Sequence, residues 1–189
     1  MNGKKIPKYY ENPIDTFIIN ICEKLNPFFY RYNMTPNGIT TIGNISGILS
    51  IYHFTKKNYK ISSILYFVRY FFDCLDGNYA RKYNMTSNFG DLYDHISDII
   101  FNIIIVILLL RTKFKYKSFW FLLLLCFFIL SLIHLGCQEK KYKKKSILTF
   151  LQELCKDETI IIYTKYFGCG TIILLISLLI YNIEYFIKN

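Results

Sequence analysis

No two of the six cysteines (Cys22, Cys74, Cys126, Cys137, Cys155 and Cys169) form a CxxC pair. Several lie in apolar runs, where a reduced cysteine acts as a small hydrophobe, so structural disulfides are not expected. No cleavable signal peptide is read either. The first dozen residues are polar and basic and the next stretch is broken by charge, so internal spans are expected to act as insertion signals. No internal repeat is visible. Charge is missing from two long runs: Ile99–Leu110 and Phe119–Leu135 contain no Asp, Glu, Lys or Arg. That excludes an ordinary soluble domain of 189 residues and points to membrane-spanning helices. Acid is scarce as well, with 13 Asp and Glu against 23 Lys and Arg for a net charge of +10. A nucleic-acid partner is not expected, because the basic residues flank the apolar runs at Lys4–Lys8, Lys56–Lys60, Arg111–Lys117 and Lys140–Lys145. That placement suits anionic lipid headgroups and the setting of topology.

The chain therefore reads as an all-α, polytopic membrane helix bundle forming one domain over residues 1–189. Residues 1–12 read as a polar tail. Residues 13–33 carry Ile14, Phe17, Ile18, Ile21, Leu25 and Phe28 at helical spacing between charges, the pattern of an amphipathic interfacial helix. The transmembrane bundle is predicted over 37–187, with spans near 37–54, 59–82, 89–110, 118–137 and 159–187. In the first span, Gly38, Gly43, Ser46, Gly47 and Ser50 would permit close helix packing. Gln138–Lys145 reads as a basic loop, and Ile147–Leu154 as apolar but too short to cross. The count is five spans, or six if 138–158 forms another. Gly168 and Gly170 mark packing or kink points in the last. Positive charge is denser beside the 82–88 turn and the 138–158 loop, which places that end of the bundle in the cytoplasm.

Within these apolar helices stand four aspartates at fixed spacing. The run Asp73-Cys74-Leu75-Asp76-Gly77-Asn78-Tyr79-Ala80-Arg81 is followed by Gly90, Asp94 and Asp98, giving D-x2-D-G-x2-A-R-x8-G-x3-D-x3-D. A charge inside a membrane segment costs about 2.5–3.5 kcal/mol even on the lenient insertion scale. Residues three or four apart share a helix face, so Asp73 pairs with Asp76 and Asp94 with Asp98. A short turn joins the two helices, and the four carboxylates can converge. Oxygen-only ligands select hard cations, here two Mg²⁺ or Mn²⁺ ions, which can clamp a pyrophosphate. A remaining carboxylate can take a proton from an attacking hydroxyl. Gly77 and Ala80 are small enough for close approach of a nucleotide, and Arg81 supplies a phosphate-binding fork.

The pattern resembles that of the CDP-alcohol phosphotransferase family, membrane enzymes of phospholipid synthesis. All eight fixed positions of the family motif are matched within 26 residues: Asp73, Asp76, Gly77, Ala80, Arg81, Gly90, Asp94 and Asp98. The resemblance implies that Asp73, Asp76 and Asp94 bind two metal ions, with Asp98 as catalytic base and a fourth candidate metal residue. It implies that the CDP moiety of the substrate lies against Gly77, Ala80 and Arg81, near Gly90. Pro36-Asn37-Gly38-Ile39-Thr40 is similar to a stretch that opens the first span in this family, which adds Asn37 and Thr40 to the candidate nucleotide site. A homodimer of six-span subunits is implied as well. The reaction implied is attack of an alcohol on the β-phosphorus of a CDP-alcohol, with release of CMP. The partners are then a CDP-linked substrate, an acceptor alcohol or diacylglycerol, and membrane lipids. Pro-Asn-x-Ile-Thr and Gly90-Asp-Leu-Tyr-Asp94-His95 lean toward the branch that joins CDP-choline or CDP-ethanolamine to diacylglycerol. The short chain points instead toward the branch that joins CDP-diacylglycerol to glycerol 3-phosphate, inositol or serine; the flanks are given the greater weight, so the CDP-choline or CDP-ethanolamine branch is the reading and the CDP-diacylglycerol branch the alternative.

Other readings stand beside these. Asp91 fits a helix cap. Arg69 reads as a structural partner of Asp73, four residues on. His95 reads as a polar neighbour, and His53 and His134 as interfacial. A four-carboxylate cavity also fits a divalent-cation transporter or an inactive scaffold, although a transporter would more often show repeats and broken helices.

Overall fold

A computed structural model of the chain describes Gly3, residues 6–142 and residues 147–188. All regular structure among the described residues is helical. The long helices are α1 Pro13–Arg31, α2 Pro36–Thr55, α3 Tyr59–Lys82, α4 Asn88–Arg111, α5 Lys117–Tyr142 and, after the single turn α6 Ile161–Thr164, α7 Cys169–Lys188.

Local chemistry sets these boundaries. Asn12 caps α1 by accepting from the backbone N–H of Ile14 at 2.9 Å, and Pro13 follows at a position that needs no N–H donor. Inside α1, Pro27 lacks the N–H that would bond the Glu23 carbonyl, and the Lys82 ammonium donates to that carbonyl at 3.4 Å instead. Thr35 caps α2 through the Gly38 N–H at 3.1 Å, again ahead of a proline. Ser87 caps α4 through the Gly90 N–H at 3.0 Å.

Helices α2 and α3 form a close hairpin. A β-carbon on Gly47 would lie 2.7 Å from Phe101 and 2.8 Å from Arg69, and one on Gly43 would lie 3.0 Å from Phe72. The Ser50 hydroxyl donates to the Ser62 carbonyl at 2.8 Å across the same seam. α4 buries every fourth residue, Ser97, Phe101, Ile105 and Leu109, and exposes Ile99, Ile100, Ile103 and Ile107. α7 buries Ile172, Ile173, Ile176, Leu179, Ile180 and Ile183 against the bundle, and Ser63 of α3 donates to its Ser177 carbonyl at 2.7 Å.

Three stretches are long and apolar enough to cross a bilayer: Asn88–Arg111, Lys117–Lys141 and Ile161–Ile187. The chain is a multi-pass membrane protein. Five such spans were expected; α2 and α3 fall short because they are too polar, α3 carrying Lys60, Arg69, Asp73, Asp76, Arg81 and Lys82 and α2 carrying Asn37, Asn44 and a run of Ser and Thr. The span expected over 159–187 is interrupted at Gly168, whose backbone is extended between a 3-10 turn and α7. The interfacial helix ends at Arg31 and packs on α3 and α7.

Several expectations are corrected. Gln138 does not begin a loop: α5 runs on through Tyr142, with Lys140 and Lys141 at its carbonyl end, where the helix dipole favours cations. The residues from Lys143 to Lys145 lie outside the described residues. Ile147–Leu154 is a 3-10 helix of 8 residues, about 16 Å at the usual rise. It folds back on α5, where a β-carbon on Gly136 would lie 2.2 Å from the Leu151 carbonyl oxygen. Among the described residues of 138–158 there is no helix long enough to be a sixth span. That fold-back brings Cys137 and Cys155 to a Cα–Cα distance of 4.9 Å, and they form a disulfide that the spacing did not announce. His134 is buried rather than interfacial. It lies 2.8 Å from the Gln138 amide and 3.1 Å from the Thr164 hydroxyl, a chain of bonds that satisfies both ring nitrogens.

Candidate active site

Asp73 and Asp76 stand on the last turns of α3, and Asp94 and Asp98 on the first turns of α4. Five residues, Tyr83–Ser87, bridge the two helices, with Asn84 in the left-handed conformation at φ 56°. The tight reversal sets the two acidic faces opposite one another. Carboxylate oxygens of Asp73, Asp76 and Asp94 all lie within 4.8 Å of one another. At an effective dielectric of about 20, each such pair of charges repels by roughly 3–4 kcal/mol. Oxygen-only donors at that spacing, partly buried and short of compensating charge, fit a hard divalent cation.

Asp98 lies one turn deeper, beside Asp73. One of its oxygens accepts from Arg69 Nη2 at 2.7 Å. Arg69 was expected to pair with Asp73, its neighbour on the same helix. Instead it crosses to α4, flanked by the bare backbone of Gly47, with its guanidinium 4.5 Å from the centre of the Phe101 ring. Periodicity along one helix could not show a contact spanning 29 residues.

Above the carboxylates opens a cavity of about 440 Å³. Its wall contains all six residues singled out for the nucleotide: Asn37, Thr40, Gly77, Ala80, Arg81 and Gly90. Asp76 and Asp94 reach it from below, and Met85–Asn88 close one side. Asp73 lines a narrow crevice beneath, with Asn44 and Arg69, and Asp98 lines neither space. Thr40 does more than line the wall, since its hydroxyl donates to Asp76 and fixes that carboxylate. A β-carbon on Gly90 would lie 3.0 Å from Asn37 Oδ1, and one on Gly77 would lie 3.0 Å from Arg81 Nη1, so both glycines keep the cavity open. His95 lies at the rim, 2.8 Å from the Asp91 carbonyl through Nδ1 and 3.8 Å from Asp94. Asp91 occupies the first turn of α4, as a capping acid does.

Sequence reasoning missed the Arg69–Asp98 pair and the Ser87 cap that holds the Gly90 backbone. It also missed a bond from Arg81 Nε to the Gly3 carbonyl at 2.8 Å. Gly3 and Ile6 are buried, so the segment before α1 is not a free polar tail.

The chain is 33% identical over 76 residues to a protein of Pyrococcus horikoshii named archaetidylinositol phosphate synthase, covering 40% of each chain. It is 31% identical over 103 residues to the CDP-diacylglycerol–glycerol-3-phosphate 3-phosphatidyltransferase of Mycoplasma pneumoniae, covering 54% of this chain and 42% of that one. An uncharacterized protein of Aquifex aeolicus is 28% identical over 95 residues, 50% of this chain and 44% of its own. The match thus spans less than half the length of each of these relatives. No solved structure matches the chain significantly. The profile of the CDP-alcohol phosphatidyltransferases matches residues 33–185, which include both site helices and all eight motif positions, and the chain belongs to that family.

Proposed function

We propose that this chain is a metal-dependent transferase that moves a phosphatidyl group from CDP-diacylglycerol to a small alcohol and releases CMP. The observation that carries the reading is the carboxylate triad directly below a cavity walled by the motif glycines and Arg81. The family supports a transferase of this type. The names of two relatives, one an archaetidylinositol phosphate synthase and one a CDP-diacylglycerol-dependent enzyme, favour a lipid-linked donor. They outweigh the lean toward CDP-choline or CDP-ethanolamine drawn from the flanks of the motif.

Asp73, Asp76 and Asp94 would hold two Mg²⁺ or Mn²⁺ ions, which supply charge neutralisation for the pyrophosphate and the leaving CMP. Thr40 orients Asp76. Arg81 binds a phosphate oxygen, and Gly77 and Ala80 admit the cytidine. The acceptor oxygen forms its bond to the β-phosphorus as the bond from that phosphorus to the bridging oxygen breaks. Asp98 takes the hydroxyl proton, held in place by Arg69. The site opens to the cytoplasm, where CDP-linked lipid precursors are made. A cysteine at Asn84, in a chain without the native cysteines, should react with an impermeant thiol reagent from the cytoplasmic side only.

Purified protein in detergent with Mg²⁺ or Mn²⁺ tests the donor. CMP should form from CDP-diacylglycerol with glycerol 3-phosphate, inositol phosphate, inositol or serine as acceptor. CMP formed only from CDP-choline or CDP-ethanolamine with diacylglycerol would overturn the choice of donor.

A further inference from the structure

The profile match begins at residue 33, yet the chain ahead of it reaches the site. The Gly3 carbonyl accepts from Arg81 Nε at 2.8 Å. Gly3 is there because nothing larger fits: a β-carbon on it would lie 2.5 Å from the Asn78 carbonyl oxygen and 2.8 Å from the Asn78 side chain. Asn78 cannot yield easily, being fully buried and bonded to Asn26 of α1 at 2.6 Å. Nearby, Ile6 is 4% exposed and anchors the same segment. The guanidinium is a planar fork with five N–H donors. With Nε committed to Gly3, its two terminal nitrogens lie at 3.0 and 3.4 Å from the β-carbon position of Gly77, at the wall of the cavity.

We propose that Gly3 is a positioning residue of the substrate site: its backbone carbonyl holds Arg81 so that the terminal nitrogens stay aimed at a pyrophosphate oxygen of the CDP-linked substrate. The inference rests on the reading of Arg81 given under Proposed function. An arginine tethered at Nε has fewer rotamers to lose when it meets an anion. Loss of the tether therefore weakens substrate binding and leaves the chemical step alone.

The test is steady-state kinetics on the full chain in detergent, with CDP-diacylglycerol varied, against removal of residues 1–6, Gly3→Ala, Arg81→Lys and the combinations. Lysine has no Nε–H fork to be held. Removal of 1–6 should raise KM about tenfold, as expected for a hydrogen bond to a charged group, with kcat within about twofold. Gly3→Ala should raise KM in the same direction. In the Arg81→Lys background neither change should add to the KM. Should the shortened chain fail to fold, Gly3→Ala decides by the same criteria. An unchanged KM beside a raised one for Arg81→Lys overturns the inference alone. So does an equal rise in both backgrounds, which would mark a general packing effect. An Arg81→Lys variant with unchanged KM overturns the placement of the substrate at Arg81 and this inference with it.

Discussion

Arg69 of α3 donates to Asp98 of α4 at 2.7 Å while its guanidinium lies over the Phe101 ring. Asp98 thus has a fixed direction before any substrate arrives, and one of its oxygens is already bonded. Arg69 Nε is buried with no hydrogen-bond partner among the described residues, so the arginine is held mainly by this pair and the ring. Arg69→Met should lower kcat at least about a hundredfold, the usual scale for a misplaced general base, with KM for the CDP-linked substrate little changed. Arg69→Lys should restore part of the rate. Equal activity of wild type and Arg69→Met would remove Asp98 from the role of base, or Arg69 from the role of holding it.

Gly77→Leu should abolish binding of the CDP-linked substrate. The added side chain enters the space between the α3 backbone and Arg81, where the first carbon alone would lie 3.0 Å from Nη1. The Arg81 end is flexible, so the bundle should fold and thermal unfolding should shift little. Nucleotide affinity measured by titration calorimetry distinguishes the outcomes, and wild-type affinity would place the nucleotide elsewhere.

Asp15 links α1 to the bundle, accepting from the Tyr70 hydroxyl at 2.7 Å and from the backbone N–H of Gly170. Burial lifts its carboxyl to about 6, with the two hydrogen bonds opposing the rise. A carboxyl raised above its unfolded value of about 3.9 stabilises the fold most when protonated. The contribution is complete below about pH 4 and is lost as pH rises to 6, by an amount on the order of 3 kcal/mol. Asp15→Asn should flatten the fall in Tm between pH 4 and 6 measured in detergent. An unaltered pH profile would show that Asp15 ionises freely in the fold.

Much of the site was legible because it rests on local spacing. The aspartates at i and i+3 or i+4, and the glycines between them, follow from helix geometry alone, and the 82–88 turn dictates that the two faces meet. The residues proposed for the nucleotide line one cavity; Gly77, Ala80 and Arg81 stood out in the same run, whereas Asn37 and Thr40 came from the family resemblance. What the sequence hid depends on distant partners. Arg69 has an acid four residues ahead on its own helix, yet bonds one on another. Cys137 and Cys155 sit 18 apart with no signature spacing, and only the fold-back of Ile147–Leu154 joins them. Gly3 lies in a polar stretch of sequence, and its own burial rests on a close approach to Asn78 and a bond from Arg81, both distant in the chain. The break at Gly168 was signalled by the glycine, but its cause is tertiary. Asn12 reaches the Lys165 carbonyl at 2.7 Å and the Thr171 hydroxyl at 2.8 Å, binding both sides of the interruption.

The Cys137–Cys155 bridge closes a loop of 18 residues, a size that stabilises the oxidised, purified protein by about 3 kcal/mol in the chain-entropy account, whereas a cytoplasmic face would keep the pair reduced. Alkylation without reductant, followed by mass spectrometry, should leave these two cysteines unmodified even in the unfolded chain. Reduction should lower Tm, and the Cys137→Ser, Cys155→Ser double variant should match the reduced protein. Full alkylation of both in unreduced, unfolded protein would show them to be free thiols.

The aspartate cluster is proposed to be a divalent-metal centre for release of CMP. Its most direct test is CMP release from CDP-diacylglycerol by the purified protein, first with excess chelator and then with Mg²⁺ or Mn²⁺ restored. No CMP should form under chelation and adding either ion should restore it, with Asp76→Asn inactive under both conditions. Undiminished CMP release in excess chelator, or from Asp76→Asn, would contradict it.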